Sequence, residues 1–273
     1  MTTSEDLVIV APSMEDFKEF SQIQKGILPD VQKIDEDAFR SLIEKGEIMI
    51  CKNDATITTG FAIIQDNDGQ GLLRQLGVVE EYRRSGVASK LVVACETWFH
   101  HRNSSEIEIW VKSHNQAAIE LYQKHGYVIT SERHQFVLDL KSILEVDQRL
   151  INLNYDLRPL EDNDETEVVK KYQISPRELA SYKEVDSSIS IEILENFELR
   201  GFLRLRPSFP VLTPIILDQP NHLIIILSLI KTFLDPKFDF LKITIENEIM
   251  IKIMQFQMWA DLNFILVKMT KSI

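Results

Sequence analysis

The chain has 273 residues, 44% of them hydrophobic and 26% charged, which excludes a disordered or collagen-like polymer and leaves room for one large domain or two of ordinary size. With 42 acidic residues against 30 basic ones the formal charge is −12, so neither a nucleic-acid backbone nor an anionic membrane is the expected partner. Cys51 and Cys95 stand in no paired spacing; they predict no disulfide and no metal site, and they fit a reducing, cytoplasmic setting.

The opening Met1 to Asp6 carries acid where an export signal would carry base. A short strand follows at Leu7–Val10, closed by Pro12-Ser13. Met14, Phe17 and Phe20, with Ile23 and Ile27 further on, recur at three- and four-residue intervals, which predicts an amphipathic helix to about Lys25. A second helix is predicted after Asp35, a capping residue, with Ala38, Phe39, Leu42 and Ile43 as its apolar stripe and Gly46 as its stop. Glu47–Lys52, Thr56–Ile64 and Leu72–Val79 then read as an antiparallel meander, separated by Asn53-Asp54 and Asn67-Asp68-Gly69. After Gly86 comes a helix carrying Val87, Leu91, Cys95 and Trp98 on one face. Glu106–Val111 is a strand reached by a helical crossover and hence parallel to its predecessor. Asn115–Lys124 is a helix ended by Gly126, and Tyr127–Thr130 with Phe136–Leu140 is expected to form a closing strand pair.

A connection over Lys141–Asn154 leads to a similar order of elements. Tyr155–Leu160 is a strand, and Asp164–Tyr172 and Pro176–Tyr182 are helices. Ser190–Leu194, Leu199–Leu205 and Val211–Leu217 are strands, and Asn221–Leu234 is an apolar helix. Its core run, Leu223–Ile230, is far shorter than the roughly 20 residues a membrane span needs. Phe240–Ile245, a helix over Glu248–Phe256 and a strand over Phe264–Met269 complete the chain. The repeated order, with Gly60-Phe61 matched by Gly201-Phe202, predicts a diverged duplication with domains 1–145 and 146–273.

The segment with chemical content is Leu76-Gly77-Val78-Val79-Glu80-Glu81-Tyr82-Arg83-Arg84-Ser85-Gly86-Val87-Ala88-Ser89. It sets a strand, a basic loop and a helix start in succession, so that free backbone N–H groups and the positive end of the helix dipole converge where a phosphate can bind. Gly86 and Ala88 leave that backbone uncovered. Arg83-Arg84-Ser85-Gly86-Val87-Ala88 resembles the Arg/Gln-x-x-Gly-x-Gly/Ala signature of the GNAT superfamily of N-acetyltransferases. Asn115 to Tyr127 is similar to the same family's Asn-x-x-Ala-x-x-Leu-Tyr-x-x-x-Gly-Phe/Tyr. The resemblance covers about residues 1 to 140. It implies an α+β (mixed α/β) GNAT acyl-CoA N-acyltransferase fold, a mixed, mostly antiparallel sheet flanked by helices, here in tandem.

The resemblance further implies roles. Arg83, Arg84, Ser85, Gly86, Val87, Ala88 and Ser89 would hold the pyrophosphate of acetyl-CoA, the cosubstrate. Val78 and Val79 would pair with the pantetheine arm, a nearby N–H would polarise the thioester carbonyl, and Asn115 would bond the arm. Tyr122 would protonate the departing thiolate, a task a phenol of ordinary pKa about 10 can perform at neutral pH; taken alone it is a core aromatic. The general base is open among Glu80, Glu106 and Glu108, with Glu81 a solvated loop charge. Glu106, Glu108 and Trp110 share a strand face by alternation.

In the second half the matching loop is Asp218-Gln219-Pro220-Asn221-His222: it carries an acid, lacks glycine, and loses a donor at Pro220. Asn247 survives in the last helix, but Met254 replaces the tyrosine. The expectation is a degenerate GNAT-like domain lacking the pyrophosphate loop. The whole reads as an N-acetyltransferase moving acetyl from acetyl-CoA to a primary amine, on a small molecule or a peptide, by direct attack in a ternary complex, as a monomer or homodimer without metal. The alternative is a non-catalytic acyl-CoA-binding or regulatory module.

Overall fold

The computed structural model describes residues 7–27, 33–53, 57–67, 69–146, 154–183, 188–207 and 209–273. Its contacts divide it into two units. One runs up to Thr130 and includes Lys268–Ile273; the other is Ser131–Val267. The sequence placed the boundary after residue 145 and assigned nothing beyond it to the first unit.

Unit 1 begins with β1 (Leu7–Val10), α1 (Phe17–Ile27), α2 (Glu36–Lys45), β2 (Ile48–Asn53), β3 (Ile57–Asn67) and β4 (Gln70–Val78), and continues with α3 (Val87–His101), β5 (Glu106–Lys112) and α4 (Gln116–Lys124). Local chemistry accounts for the helix ends. Asp35 caps α2 by accepting the Ala38 N–H at 2.9 Å, and Gly46 ends it in the left-handed region at φ 66°. Strands β1 to β4 are antiparallel in sequence order, and β5 joins β4 in parallel. Lys268–Ser272 lies on the far side of β5, and the Ile273 N–H donates to the Ser105 carbonyl at 3.1 Å.

The two faces of this sheet can be told apart by what its residues meet. A Cβ on Gly71 would lie 2.7 Å from the Phe99 ring of α3, and Ile107 is in register with Gly71, so Ile107, Ile109 and Val111 point to the α3 side. Glu106, Glu108 and Trp110 therefore occupy the opposite face. That second face also carries Gln75, whose Oε1 accepts from Gln24 of α1 at 2.9 Å, and Phe61, packed with Phe20 and Phe39 of α1 and α2. The aromatic rings meet at centroid distances of 4.8 and 5.0 Å and anchor both helices to the sheet.

Unit 2 starts within β6 (Val128–Asp139) and continues through α5 (Leu140–Val146), β7 (Tyr155–Pro159), α6 (Glu165–Tyr172), α7 (Pro176–Lys183), β8 (Ile189–Glu195), β9 (Glu198–Arg206) and β10 (Val211–Leu217). It then holds α8 (Leu223–Leu229) between two 3-10 turns, β11 (Phe240–Ile245), α9 (Glu248–Gln255) and the first part of β12 (Ala260–Ser272). Its strands follow the order β6-β11-β10-β9-β8-β7. The expected strand pair at 127–140 is one continuous strand. Ser131-Glu132-Arg133-His134-Gln135 contains no glycine, proline, asparagine or aspartate to make a reversal, and β6 runs straight on to pair with β11, Gln135 opposite Thr244 and Leu138 opposite Leu241.

The two units share several local features. The Val79 N–H donates to the Thr59 carbonyl at 2.9 Å, and the Asp218 N–H donates to the Arg200 carbonyl at 2.9 Å. A Cβ on Gly60 would lie 2.7 Å from the Gly77 oxygen, and one on Gly201 would lie 2.8 Å from the Ile216 oxygen. Both glycines admit a close backbone approach at the same point of the sheet. The parallel pairs match as well: β4 and β5 are paired only as far as Leu72/Glu108, and β10 and β11 only as far as Leu212/Ile243.

Candidate functional site

That early end of pairing makes the site. Past Leu72 and Glu108, β4 continues to Val78 and β5 to Lys112 without pairing to each other, so the sheet opens into a fork with a free strand edge. An unpaired edge presents backbone donors and acceptors to any extended chain laid along it. Val78 and Val79 stand at the open end of this edge, half-buried. The Val79 N–H donates to the Thr59 carbonyl and the Val79 carbonyl accepts the Tyr82 N–H at 3.0 Å, so of the two residues it is Val78 that offers its edge to a ligand.

Beyond Val79, Glu80–Tyr82 forms one 3-10 turn, and Arg83 is extended. Arg84 at φ 63° and Gly86 at φ 94° both take left-handed backbone angles, which turns the chain sharply into α3. Gly86 is the N-cap of α3 with no side-chain cap, and the first intrahelical bond is Lys90 N–H to the Gly86 carbonyl. The N–H groups of Val87, Ala88 and Ser89 precede it, at the positive end of a 15-residue helix. Arg83 and Arg84 are exposed beside them. Two of the expected phosphate ligands are otherwise engaged through their side chains: the Ser85 hydroxyl donates to the Tyr82 carbonyl at 2.6 Å, and Ser89 Oγ is 3.1 Å from His125 Nε2. Both brace the loop, one internally and one against the end of α4; the His125 contact was not foreseen.

Asn115 caps α4, its side-chain oxygen accepting the Ala118 N–H at 3.2 Å. Tyr122, on the same helix, is buried and packs edge-on against Tyr127 at a centroid distance of 5.6 Å. Burial, with Cys95 close by, pushes its phenol far above the ordinary range, so it stays protonated. Cys95 itself is pushed up to about 12 by burial and then by Glu96. Tyr127 is raised by burial and by Glu96, and in unit 2 Tyr182 and Tyr172 are raised by burial and then by Glu178 and Asp218 respectively. A tyrosine whose folded pKa lies above its unfolded value contributes stability that is whole below about pH 10 and is lost as pH rises beyond it. The melting temperature should therefore fall above about pH 10, and fall less steeply in Tyr122→Phe. A flat profile from pH 9 to 11 would contradict the burial of these phenols.

The candidate bases separate. Glu80 and Glu81 are exposed in the 3-10 turn. Glu108 sits on the α1 side at the point where the strands part, with both carboxylate oxygens engaged: Oε1 accepts from Trp110 Nε1 at 3.0 Å and Oε2 lies 2.6 Å from Lys268 Nζ. Lys268 has no sequence signal linking it to this site. Tyr122 and Glu108 are thus carried by different elements, the phenol among α3 and α4 residues and the carboxylate on the opposite sheet face.

In unit 2 the segment that follows β10 is built differently. Asp218, at the position of Val79, is paired with Lys171 at 2.6 Å and accepts from the Tyr172 hydroxyl at 3.2 Å. Pro220 opens a 3-10 turn where unit 1 has its left-handed loop, and His222 Nδ1 lies 2.6 Å from the Tyr155 hydroxyl. A cavity of about 480 Å³ remains beside β10, with Pro214, Ile216, Tyr182 and Met250 among its walls.

A forked mixed sheet with an uncapped helix start at its open end is the arrangement that the resemblance to the GNAT superfamily implies. Residues 15–127 match the model of the Acetyltransferase (GNAT) family, and unit 1 carries a domain of that family. The chain is 27% identical over 128 residues to an uncharacterized N-acetyltransferase, YobR, of Bacillus subtilis, covering 45% of this chain and 49% of that protein. It spans about half the length of the curated relatives it matches. Among solved structures, a putative acetyltransferase from Pyrococcus horikoshii superposes with a TM-score of 0.68 at 16% identity, over 98% of this chain and 90% of that one. A tandem GNAT protein from the clavulanic acid biosynthesis pathway does so with 0.64 at 11%, over 97% and 98%. The two-unit fold is thus shared across nearly the whole chain.

Proposed function

We propose that unit 1 is an N-acetyltransferase that takes acetyl-CoA in the β4–β5 fork and transfers the acetyl group to a primary amine on a small molecule or peptide. The observation that carries this reading is the conjunction of the free β4 edge with the uncapped N–H groups of Val87 to Ser89 at its end. The first suits an extended amide-bearing arm and the second its pyrophosphate, with Arg83 and Arg84 adding positive charge. The neutral amine attacks the thioester carbonyl carbon, the carbon–sulfur bond breaks, and Tyr122 gives its proton to the departing thiolate. The proton shed by the amine goes to a carboxylate, Glu108 or Glu80, directly or through water. No cysteine lies in either signature, in keeping with direct transfer in a ternary complex. The two buried free thiols suit a cytoplasmic setting.

Unit 2 is a degenerate copy that does not bind CoA in this manner. Pro220, which has no N–H to donate, opens the turn where a pyrophosphate would need donors, and the Asp218 carboxylate stands close before it. Thiol release from acetyl-CoA across a panel of primary amines tests the reading. Amine-dependent release is the expected result; stabilisation by CoA with no release from any amine would make the chain a binding module instead.

A further inference from the structure

Lys268–Ile273 belongs to unit 1, and its two lysines reach opposite faces of that unit's sheet. Lys268 Nζ lies 2.6 Å from Glu108 Oε2 and 5.9 Å from the centroid of the Trp110 ring, whose Nε1 donates to the other Glu108 oxygen at 3.0 Å. Lys271 Nζ lies 2.8 Å from Glu96 Oε1 and 5.7 Å from the centroid of Tyr127, the ring that packs on Tyr122. The odd spacing of the two lysines on one strand is what sends them to different faces. Each carboxylate oxygen of Glu108 thus has its own donor, one from two residues along β5 and one from a segment far along the chain.

We propose that Lys268 is a positioning residue for the unit 1 site: together with Trp110 it holds the Glu108 carboxylate in one orientation where β4 and β5 part, so that it meets the acceptor amine in a fixed geometry. The inference rests on the acetyl-transfer reading above. A carboxylate oxygen has two lone pairs, so each Glu108 oxygen retains one for the acceptor after its present bond is counted. A freely rotating glutamate would have to be ordered at every encounter; one clamped from both sides is ordered beforehand. Lys268 acts through Glu108, and the pair it forms is partly shielded, with side-chain exposures of 27% and 23%.

The test is a double-mutant cycle on the full chain. Lys268→Met should lower kcat for amine acetylation about tenfold while leaving the Kd for CoA within about twofold, and Lys268→Arg should restore most of the loss. In a Glu108→Gln background Lys268→Met should add nothing. Full activity in Lys268→Met, additive losses in the double variant, or an equal failure of Lys268→Arg would each overturn the proposal. The indole N–H resonance of Trp110 gives a readout that needs no turnover. It should shift in Lys268→Met as the carboxylate is released, and an unmoved resonance would overturn the clamp whether or not the wild-type chain acetylates. An inactive wild-type chain in which that resonance does shift would retain the clamp and discard the enzymatic reading.

Discussion

Gly86→Val should weaken binding of CoA by about a hundredfold, one of two large effects expected at the fork. Gly86 sits at φ 94°, a conformation that costs a branched residue on the order of 1–3 kcal/mol, so the loop would relax away from its present course. The same substitution puts methyl groups over the N–H groups of Val87 to Ser89, which must face the pyrophosphate. Loss of one charge-assisted bond and misalignment of the rest amount to about 3 kcal/mol, or two decades in Kd. Titration calorimetry with CoA measures it, with circular dichroism to confirm that the fold persists. Unchanged affinity in a folded variant would move the phosphate site elsewhere.

Tyr122→Phe should reduce kcat by about a hundredfold to a thousandfold and leave the CoA Kd nearly unchanged. General acid catalysis contributes about 10²–10⁴ in rate, and the phenol, buried and held protonated, is suited to donate throughout the neutral range. The ring keeps its packing on Tyr127 when the hydroxyl is removed, so stability near neutral pH should change little. A variant with full kcat would leave Tyr122 as the core aromatic that its helix position alone suggests. A loss confined to KM would assign it to binding.

The parts of this molecule that were legible in its amino-acid order are those decided by neighbours in the chain. Asp35 and Gly46 bound α2, Asn115 caps α4, and Gly86 turns the loop into α3, each through interactions spanning a few residues. The meander β2–β3–β4 and the parallel return of β5 followed from alternation and from the intervening helix. The fork was not legible, because where pairing stops depends on register across a crossover. Neither was β6 as a single strand, since what keeps it extended is β11, about a hundred residues later. The engagement of both Glu108 oxygens lay out of reach for the same reason: Trp110 is two residues away, yet Lys268 becomes its neighbour only in the folded sheet.

Segment 268–273 bears on how the molecule is made. During translation, unit 1 emerges with β5 as a bare edge and waits for its bordering strand until all of unit 2 has been synthesised. At roughly 5–20 residues per second that interval is on the order of 10–30 s, in which β5 can pair with another nascent chain. A premature stop anywhere in unit 2 would therefore damage unit 1 as well, removing the strand that borders β5 and leaving Glu108 without its lysine.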